Sequence, residues 1–218
     1  MDVTWDGITQ QHTVEKRQLQ VRYEIADAAK SFSWIKLLEL LSANSTLVNS
    51  SRVGGRSRFA PLHQAALGGA PIEVVQKLVK MGAWRTLQNA EGERSLDIAV
   101  LSGHQHLLRA LEPVYVSTIP LGILLKIQHQ FHELIRTRVS KLVAEHALRL
   151  PELEPMLELV KPEMWFPVPG MYGGFSYKLN VEIRPSLTVE SWCRVDGGSE
   201  QTHTVSASGA TLEEEGFD

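Results

Sequence analysis

The sequence contains a single cysteine, Cys193, in 218 residues, so it cannot form an internal disulfide. No apolar run approaches the roughly 20 residues that a transmembrane helix requires. The N-terminus, MDVTWDGITQQHTVEKR, lacks the basic start and apolar core of a secretory signal. These absences lead us to expect a cytoplasmic protein in a reducing compartment, with no membrane association.

Motifs for cofactors are also lacking. The glycines form no G-x-x-x-x-G-K-S/T loop, and no G-x-G-x-x-G follows a strand pattern, so no nucleotide cofactor is expected. His129 and His132 lie three residues apart on a predicted helix, followed by Glu133, and would place both imidazoles on one face. This order matches neither the zinc-peptidase motif nor its inverse, and no third ligand is evident. We therefore predict no metal and no cofactor.

The charge is unevenly divided along the chain. Residues 1–150 contain 18 Lys and Arg against 13 Asp and Glu, a balance of +5, whereas residues 151–218 contain 4 against 12, a balance of −8. This asymmetry predicts two surfaces of different charge. A balance of +5 is too weak to indicate nucleic-acid binding, so a nucleic-acid partner is not expected.

The stretch from Phe59 to Arg85 carries the clearest structural pattern in the chain. Pro61 suits the first position of a helix, because its φ is already fixed and it has no N–H to lose. Gly82 suits the end of a second helix, where a left-handed residue is common. Between them lie the Pro-Leu-His turn, two small residues, a glycine turn and an apolar helix face: Leu62, His63, Ala65, Ala66, Gly68, Gly69, Val74, Val75, Leu78 and Val79.

That ordered set resembles the ankyrin repeat, and related patterns lie 37 residues earlier, at Ile25, and 34 residues later, at Leu96. The resemblance implies a mainly α fold with a small β part, in which about three ankyrin repeats form an α-solenoid over residues 15–113. An N-terminal arm would precede it at residues 1–14, and capping helices would follow at residues 114–160. It also implies that His63 makes hydrogen bonds between repeats.

The composition changes after residue 160. Prolines and glycines interleaved with aromatic residues predict a linker over residues 161–175. An antiparallel β module with an acidic tail is expected over residues 176–218, with strands at 175–183, 187–195 and 201–206, a hairpin turn at 196–199 and a solvated end at 213–218. The segment Trp165–Phe175 is similar to one in uncharacterised bacterial proteins that join a short ankyrin array to a small β module. That similarity implies no known activity.

The ankyrin resemblance implies a non-enzymatic scaffold or adaptor that binds a partner protein through its loops and inner helices. The loop residues that we expect to contact that partner are Arg52, Arg56, Arg58, Trp84, Arg85, Gln88, Glu91 and Arg94. Trp and Arg are enriched among interface hot spots, which makes Trp84 and Arg85 the first pair to test. The alternative for Trp84 is that it packs inward.

Two other functions fit the C-terminal part. Glu190, Arg194 and His203 could form an acid–base or ligand site, although a cross-strand ion pair is the plainer interpretation. Cys193 alternates with valines, which favours a buried small side chain over a nucleophile. Alternatively, the acidic end could neutralise a basic partner, as an antitoxin or immunity protein does; strong weakening of that complex by salt is then expected.

Overall fold

A computed structural model describes residues 3–193 and 199–216. The chain forms two compact units: the helical unit, Thr9–Val114, and the sheet unit, Met1–Ile8 with Tyr115–Asp218. The helices and strands are α1 (Lys16–Lys30), α2 (Trp34–Ala43), α3 (Pro61–Leu67), α4 (Ile72–Lys80), α5 (Ser95–Leu101), α6 (Leu108–Leu111), α7 (Leu121–Glu145), β1 (Glu163–Val168), β2 (Gly173–Asn180), β3 (Ser186–Cys193), β4 (Ser199–Ser206) and β5 (Gly209–Gly216). None of the described helices combines the length and apolar character needed to cross a membrane.

The helical unit is built from helices that pack in two rows. α3 contacts both α1 and α5, and α4 contacts both α2 and α6. Pro61 is the first residue of α3, as its fixed φ predicts. Ala65 and Ala66 are fully buried, and their small side chains let α3 approach its neighbours closely. Leu37, Leu41, Val75, Leu78, Leu107 and Leu111 complete the core.

The predicted fold class is wrong, because the helices are not arranged as ankyrin repeats. Their lengths are unequal: α1 has 15 residues, α5 has 7, and α6 has 4 and follows a short 3-10 turn. Throughout Thr9–Val114, all of which is described, the connecting loops contain no β-strand. Proline at a helix start and glycine after a helix end specify single helix termini. They do not specify how successive helices are placed.

The sheet unit contains one antiparallel sheet with the strand order β1-β2-β3-β4-β5. Residues 161–175, expected as a linker, contain β1 and the start of β2. Pro167 is tolerated there because β1 lies at an edge of the order. The expected tail at 213–216 belongs to β5, which pairs with β4. The N-terminal segment also bonds to β1. The Trp165 N–H donates to the Val3 carbonyl over 2.8 Å, and the Trp5 N–H donates to the Trp165 carbonyl over 2.8 Å.

Apart from Val114, the region predicted to cap the repeats, residues 114–160, belongs to the sheet unit. Its main helix, α7, packs against β3, β4 and β5. Phe131 of α7 is fully buried, with its ring centroid 5.0 Å from that of Tyr177 and 6.3 Å from that of Phe175. These apolar side chains lie on the inner face of the sheet, and the helix covers them. Val139 interrupts the helical geometry of α7, at φ −142° and ψ 37°.

Candidate functional site

Three of the predicted partner-binding arginines, Arg52, Arg56 and Arg58, line one pocket of the helical unit. Lys30, the last residue of α1, supplies a fourth cation. The pocket has a volume of about 320 Å³. We call it the basic pocket; its other polar side chains are Ser50, Ser57 and Gln64, and its apolar residues include Ala26, Ala29, Phe59 and Pro61.

A tight turn positions these arginines. The N–H of Gly54, at φ +74°, donates to the Thr9 carbonyl over 2.8 Å, and the N–H of Gly55 donates to the Arg52 carbonyl over 2.9 Å. A Cβ atom on Gly55 would lie 2.9 Å from that carbonyl oxygen, so the turn requires glycine. Arg58 has φ +55°, a left-handed conformation that costs a non-glycine residue about 1–2 kcal/mol. The loop therefore holds its cations in a specific and partly strained geometry.

The electrostatics of the basic pocket are dominated by positive charge. Arg52 forms an ion pair with Asp27, and its guanidinium lies 4.7 Å from the centroid of the Tyr23 ring. Arg56 and Arg58 are exposed and form no ion pair with any residue in the described part of the chain. One carboxylate thus offsets four cations, and the pocket is complementary to an anionic group.

The loop between α4 and α5, here called the second loop, contains the other predicted contact residues, and its tryptophan points inward. Only 5% of Trp84 is exposed, and its backbone N–H donates to Asn49 Oδ1 over 3.0 Å. Arg85 is half-buried, and its Nε–H donates to the Ala110 carbonyl over 2.9 Å. Trp84 therefore packs inward, which was the alternative considered from the sequence. Both side chains contribute to the fold of the helical unit.

The remaining predicted residues of that loop have mixed exposure. Glu91 is exposed, whereas Gln88 and Arg94 are half-buried. Arg94 precedes α5, and its backbone N–H donates to Asp97 Oδ2 over 2.8 Å. The loop is organised by Asn89, which is 4% exposed and whose Oδ1 accepts hydrogen bonds from two backbone N–H groups. Asparagine is typical of such turns, so this residue could have been found from the sequence.

Sequence reasoning missed Lys30 and Gln64 as members of the basic pocket. Lys30 ends a helix 22 residues before Arg52, and Gln64 lies within α3. A lysine at a helix C-terminus has a sufficient explanation in the helix dipole, so no sequence pattern distinguishes it as a binding residue. Packing of α1 beside α3 brings both side chains to the loop that carries Arg52, Arg56 and Arg58.

The three residues of the proposed acid–base site are not brought together. In the register of β3 and β4, Glu190 pairs with Thr202 and Val189 pairs with His203. Because successive residues of a strand point to opposite faces, Glu190 and His203 lie on opposite faces of the sheet. Arg194 lies outside the described residues. Cys193 is a half-buried free thiol, more exposed than the alternation of valines predicts.

His132, considered above as a metal ligand, already has a hydrogen-bond partner: its Nε2–H donates to the carbonyl of Pro151 over 2.7 Å. His63 links α3 to the second loop, with Nε2 3.0 Å from the Leu87 carbonyl, while Nδ1 accepts from the Ala60 N–H. Across residues 3–193 and 199–216, no three His, Cys, Asp or Glu side chains are grouped so that they could hold a metal ion.

Comparisons with known proteins add no family to this description. No protein-family model matches the chain, and no curated protein matches it either.

Acidification is expected to destabilise the sheet unit. Burial lowers the pKa of both His132 and His203; the positive charge of Arg138 lowers that of His203 further. Below the ordinary histidine pKa of 6.5, the unfolded chain then binds more protons than the folded chain. The free energy of unfolding must therefore fall as the pH decreases through that value.

Urea unfolding at a series of pH values tests this expectation. His132→Gln and His203→Gln should each reduce the dependence of the unfolding free energy on pH between about 7.5 and about 5.5. His129→Gln is the matched control, because His129 is exposed on the same helix as His132. A pH dependence that is identical in all three variants and the parent protein would contradict the assignment.

Proposed function

We propose that the protein is a non-enzymatic binding protein, a cytoplasmic scaffold or adaptor, that holds an acidic segment of a partner protein at the basic pocket. The observation that carries the proposal is the convergence of Arg52, Arg56 and Arg58 with Lys30 around one pocket. The cytoplasmic location is supported by the single Cys193, which leaves the chain without an internal disulfide.

Carboxylates fit this pocket chemically. Arginine presents a planar fork of N–H donors that matches the two oxygens of a carboxylate, and such charge-assisted hydrogen bonds are stronger than neutral ones. The glycine turn and the left-handed Arg58 fix the backbone that carries the arginines, which reduces the backbone entropy lost when a ligand is bound. The volume of about 320 Å³ accommodates one or two acidic side chains and lies at the lower end of typical ligand pockets.

The lining supports binding and does not support catalysis. The residues around the pocket, all of them described, include no histidine, cysteine or carboxylate. General acid–base chemistry requires a group that exchanges protons near neutral pH. Arginine does not, because its guanidinium stays protonated. The pocket can therefore attract and orient an anion, and its three arginines do not act as acid–base groups.

Charge reversal in the pocket is expected to abolish recognition of acidic peptides. The probe is a fluorescein-labelled peptide of alternating Glu and Ser, titrated by fluorescence polarisation, with the same peptide carrying Gln or Lys in place of Glu. Arg56→Glu with Arg58→Glu should weaken binding at least about tenfold, since removal of a charged partner costs about 1.5–3 kcal/mol. Raising the salt from about 50 mM to about 200 mM should also weaken binding by the parent protein.

The matched control is Lys77→Glu with Lys80→Glu. Both lysines are exposed on α4 outside the pocket, and the substitution changes the net charge by the same amount. Equal weakening by the control and the pocket variant would show that binding depends on net charge alone and would contradict the proposal. If a single-stranded oligonucleotide of equal charge bound more tightly than the peptide, the ligand of the pocket would be nucleic acid and not an acidic protein segment.

The acidic strand β5 favours a second candidate, an antitoxin or immunity protein that neutralises a basic partner. Glu213, Glu214 and Glu215 are all exposed on this strand, which ends the described strand order. Replacement of all three by Gln should weaken capture of a basic protein such as lysozyme, whereas the Arg56→Glu/Arg58→Glu variant should retain it. Unchanged capture after the Gln replacement would exclude the acidic strand as the binding surface.

A further inference from the structure

The outer face of the sheet carries a pair of stacked tryptophans. Trp165 of β1 and Trp192 of β3 have ring centroids 4.6 Å apart and planes inclined by 18°. Both lie over β2, the strand between them. A Cβ atom on Gly174 would lie 2.7 Å from Cη2 and 2.8 Å from Cζ2 of Trp165. The absence of a side chain at Gly174 therefore allows the indole of Trp165 to lie close to the backbone of β2.

This aromatic pair forms a wall of a second pocket, here called the tryptophan pocket. Its volume is about 430 Å³, and its polar lining side chains are those of Lys161, Glu163 and Ser176. Lys178 Nζ lies 3.3 Å from Glu163 Oε1, and both side chains are more than half exposed. The pocket thus combines a flat apolar surface with hydrogen-bond donors and acceptors that remain accessible to water.

Among the residues that line the tryptophan pocket, the charges are balanced. The Lys161 ammonium is matched by the Glu163 carboxylate, which also pairs with Lys178. An anionic ligand would meet the carboxylates and a cationic ligand would meet the ammonium groups. A neutral ligand with many hydroxyl groups can instead donate to the Glu163 carboxylate, bond with the Ser176 hydroxyl and accept from the Lys161 ammonium.

We propose that the tryptophan pocket binds a neutral carbohydrate. The C–H face of a pyranose ring packs against the indole of Trp165 or Trp192, while its hydroxyls bond to the polar side chains of the pocket. Aromatic side chains provide a large, rigid contact area at low entropic cost. This site lies in the sheet unit and uses none of the residues of the basic pocket, so it stands independently of the function proposed above.

The test is titration of the full chain with cellotetraose, chitotetraose and maltotetraose, followed by tryptophan fluorescence and calorimetry. Sialyllactose, chitosan oligomers and adenosine serve as anionic, cationic and nucleobase probes. At least one neutral oligosaccharide should bind saturably. Trp165→Ala should weaken that binding about tenfold, the effect of losing an aromatic contact of about 1.4 kcal/mol. Trp34→Phe, a half-buried tryptophan of the helical unit, is the control and should leave binding unchanged.

A second variant keeps the tryptophan pair and tests the site even if Trp165→Ala fails to fold. Glu163→Gln with Ser176→Ala removes a charged acceptor and a hydroxyl from the rim and should weaken oligosaccharide binding severalfold with an unchanged far-UV spectrum. Lack of saturable binding by every neutral oligosaccharide would overturn the proposal. Binding of adenosine, sialyllactose or chitosan oligomers as tight as that of the neutral sugars would overturn it as well, as would wild-type affinity in this rim variant.

Discussion

Phe131→Ala is expected to lower the free energy of unfolding of the sheet unit by about 3–5 kcal/mol. Phe131 is fully buried beneath α7 and packs against Tyr177 and Phe175 of β2. Removing its ring leaves a cavity between helix and sheet and also removes two aromatic contacts. Because folded domains are stable by only about 5–15 kcal/mol, this one change removes a large part of the total.

Urea unfolding followed by circular dichroism measures the loss. Leu125→Ala is the matched control, because Leu125 lies on the same helix but is 49% exposed. The control should change the unfolding free energy by less than about 0.5 kcal/mol, as surface substitutions usually do. Hydrogen exchange should show reduced protection of β2 amides in Phe131→Ala. Equal, small losses in both variants would show that α7 does not stabilise the sheet through this side chain.

Trp84→Ala is expected to lower the free energy of unfolding of the helical unit by about 3–5 kcal/mol. Only 5% of the residue is exposed, so the indole is buried in the helical unit. Arg85→Ala should cost about 1 kcal/mol, because it removes the hydrogen bond to the Ala110 carbonyl. The two substitutions therefore act on stability, in contrast to the selective loss of partner binding expected from the sequence.

Thermal and urea unfolding of Trp84→Ala, Arg85→Ala and the Arg56→Glu/Arg58→Glu variant test whether residues of the second loop stabilise the fold while the pocket arginines do not. The free energy of unfolding of the charge-reversal variant should lie within about 0.5 kcal/mol of that of the parent protein. Both arginines are exposed and lack ion pairs with the described residues. A destabilised Trp84→Ala beside a stable pocket variant is the expected pattern. If Trp84→Ala retained full stability, the indole would not be part of the core.

Local features of the chain could be read from its sequence with useful accuracy. The helical array was expected to begin at residue 15, and α1 covers Lys16–Lys30. Pro61 begins α3, and alternating side chains marked most of β3. These features depend on neighbouring residues through helix capping, fixed φ and period-2 alternation. By contrast, β1 was hidden by Pro167, since proline is accepted in a strand only when the strand lies at an edge.

The candidate sites could be predicted from the sequence only in part. Arg52, Arg56 and Arg58 were expected to contact a partner because they are concentrated in one loop, and the structure places them around one pocket. Lys30 joins them only because α1 and α3 pack together. Likewise, the separation of Glu190 and His203 depends on strand register, and the stacking of Trp165 on Trp192 depends on two strands that flank Gly174.

The sequence by itself determined the start of α3, most of β3, the uneven charge and the cluster of arginines, because each of these follows from residues close together in the chain. Only the tertiary structure decided that the helices do not form ankyrin repeats, that Trp84 is buried and that the tryptophan pocket exists. The physical reason is that packing partners are separated by many residues. Their meeting depends on shape and register across the whole unit, which local propensity does not encode.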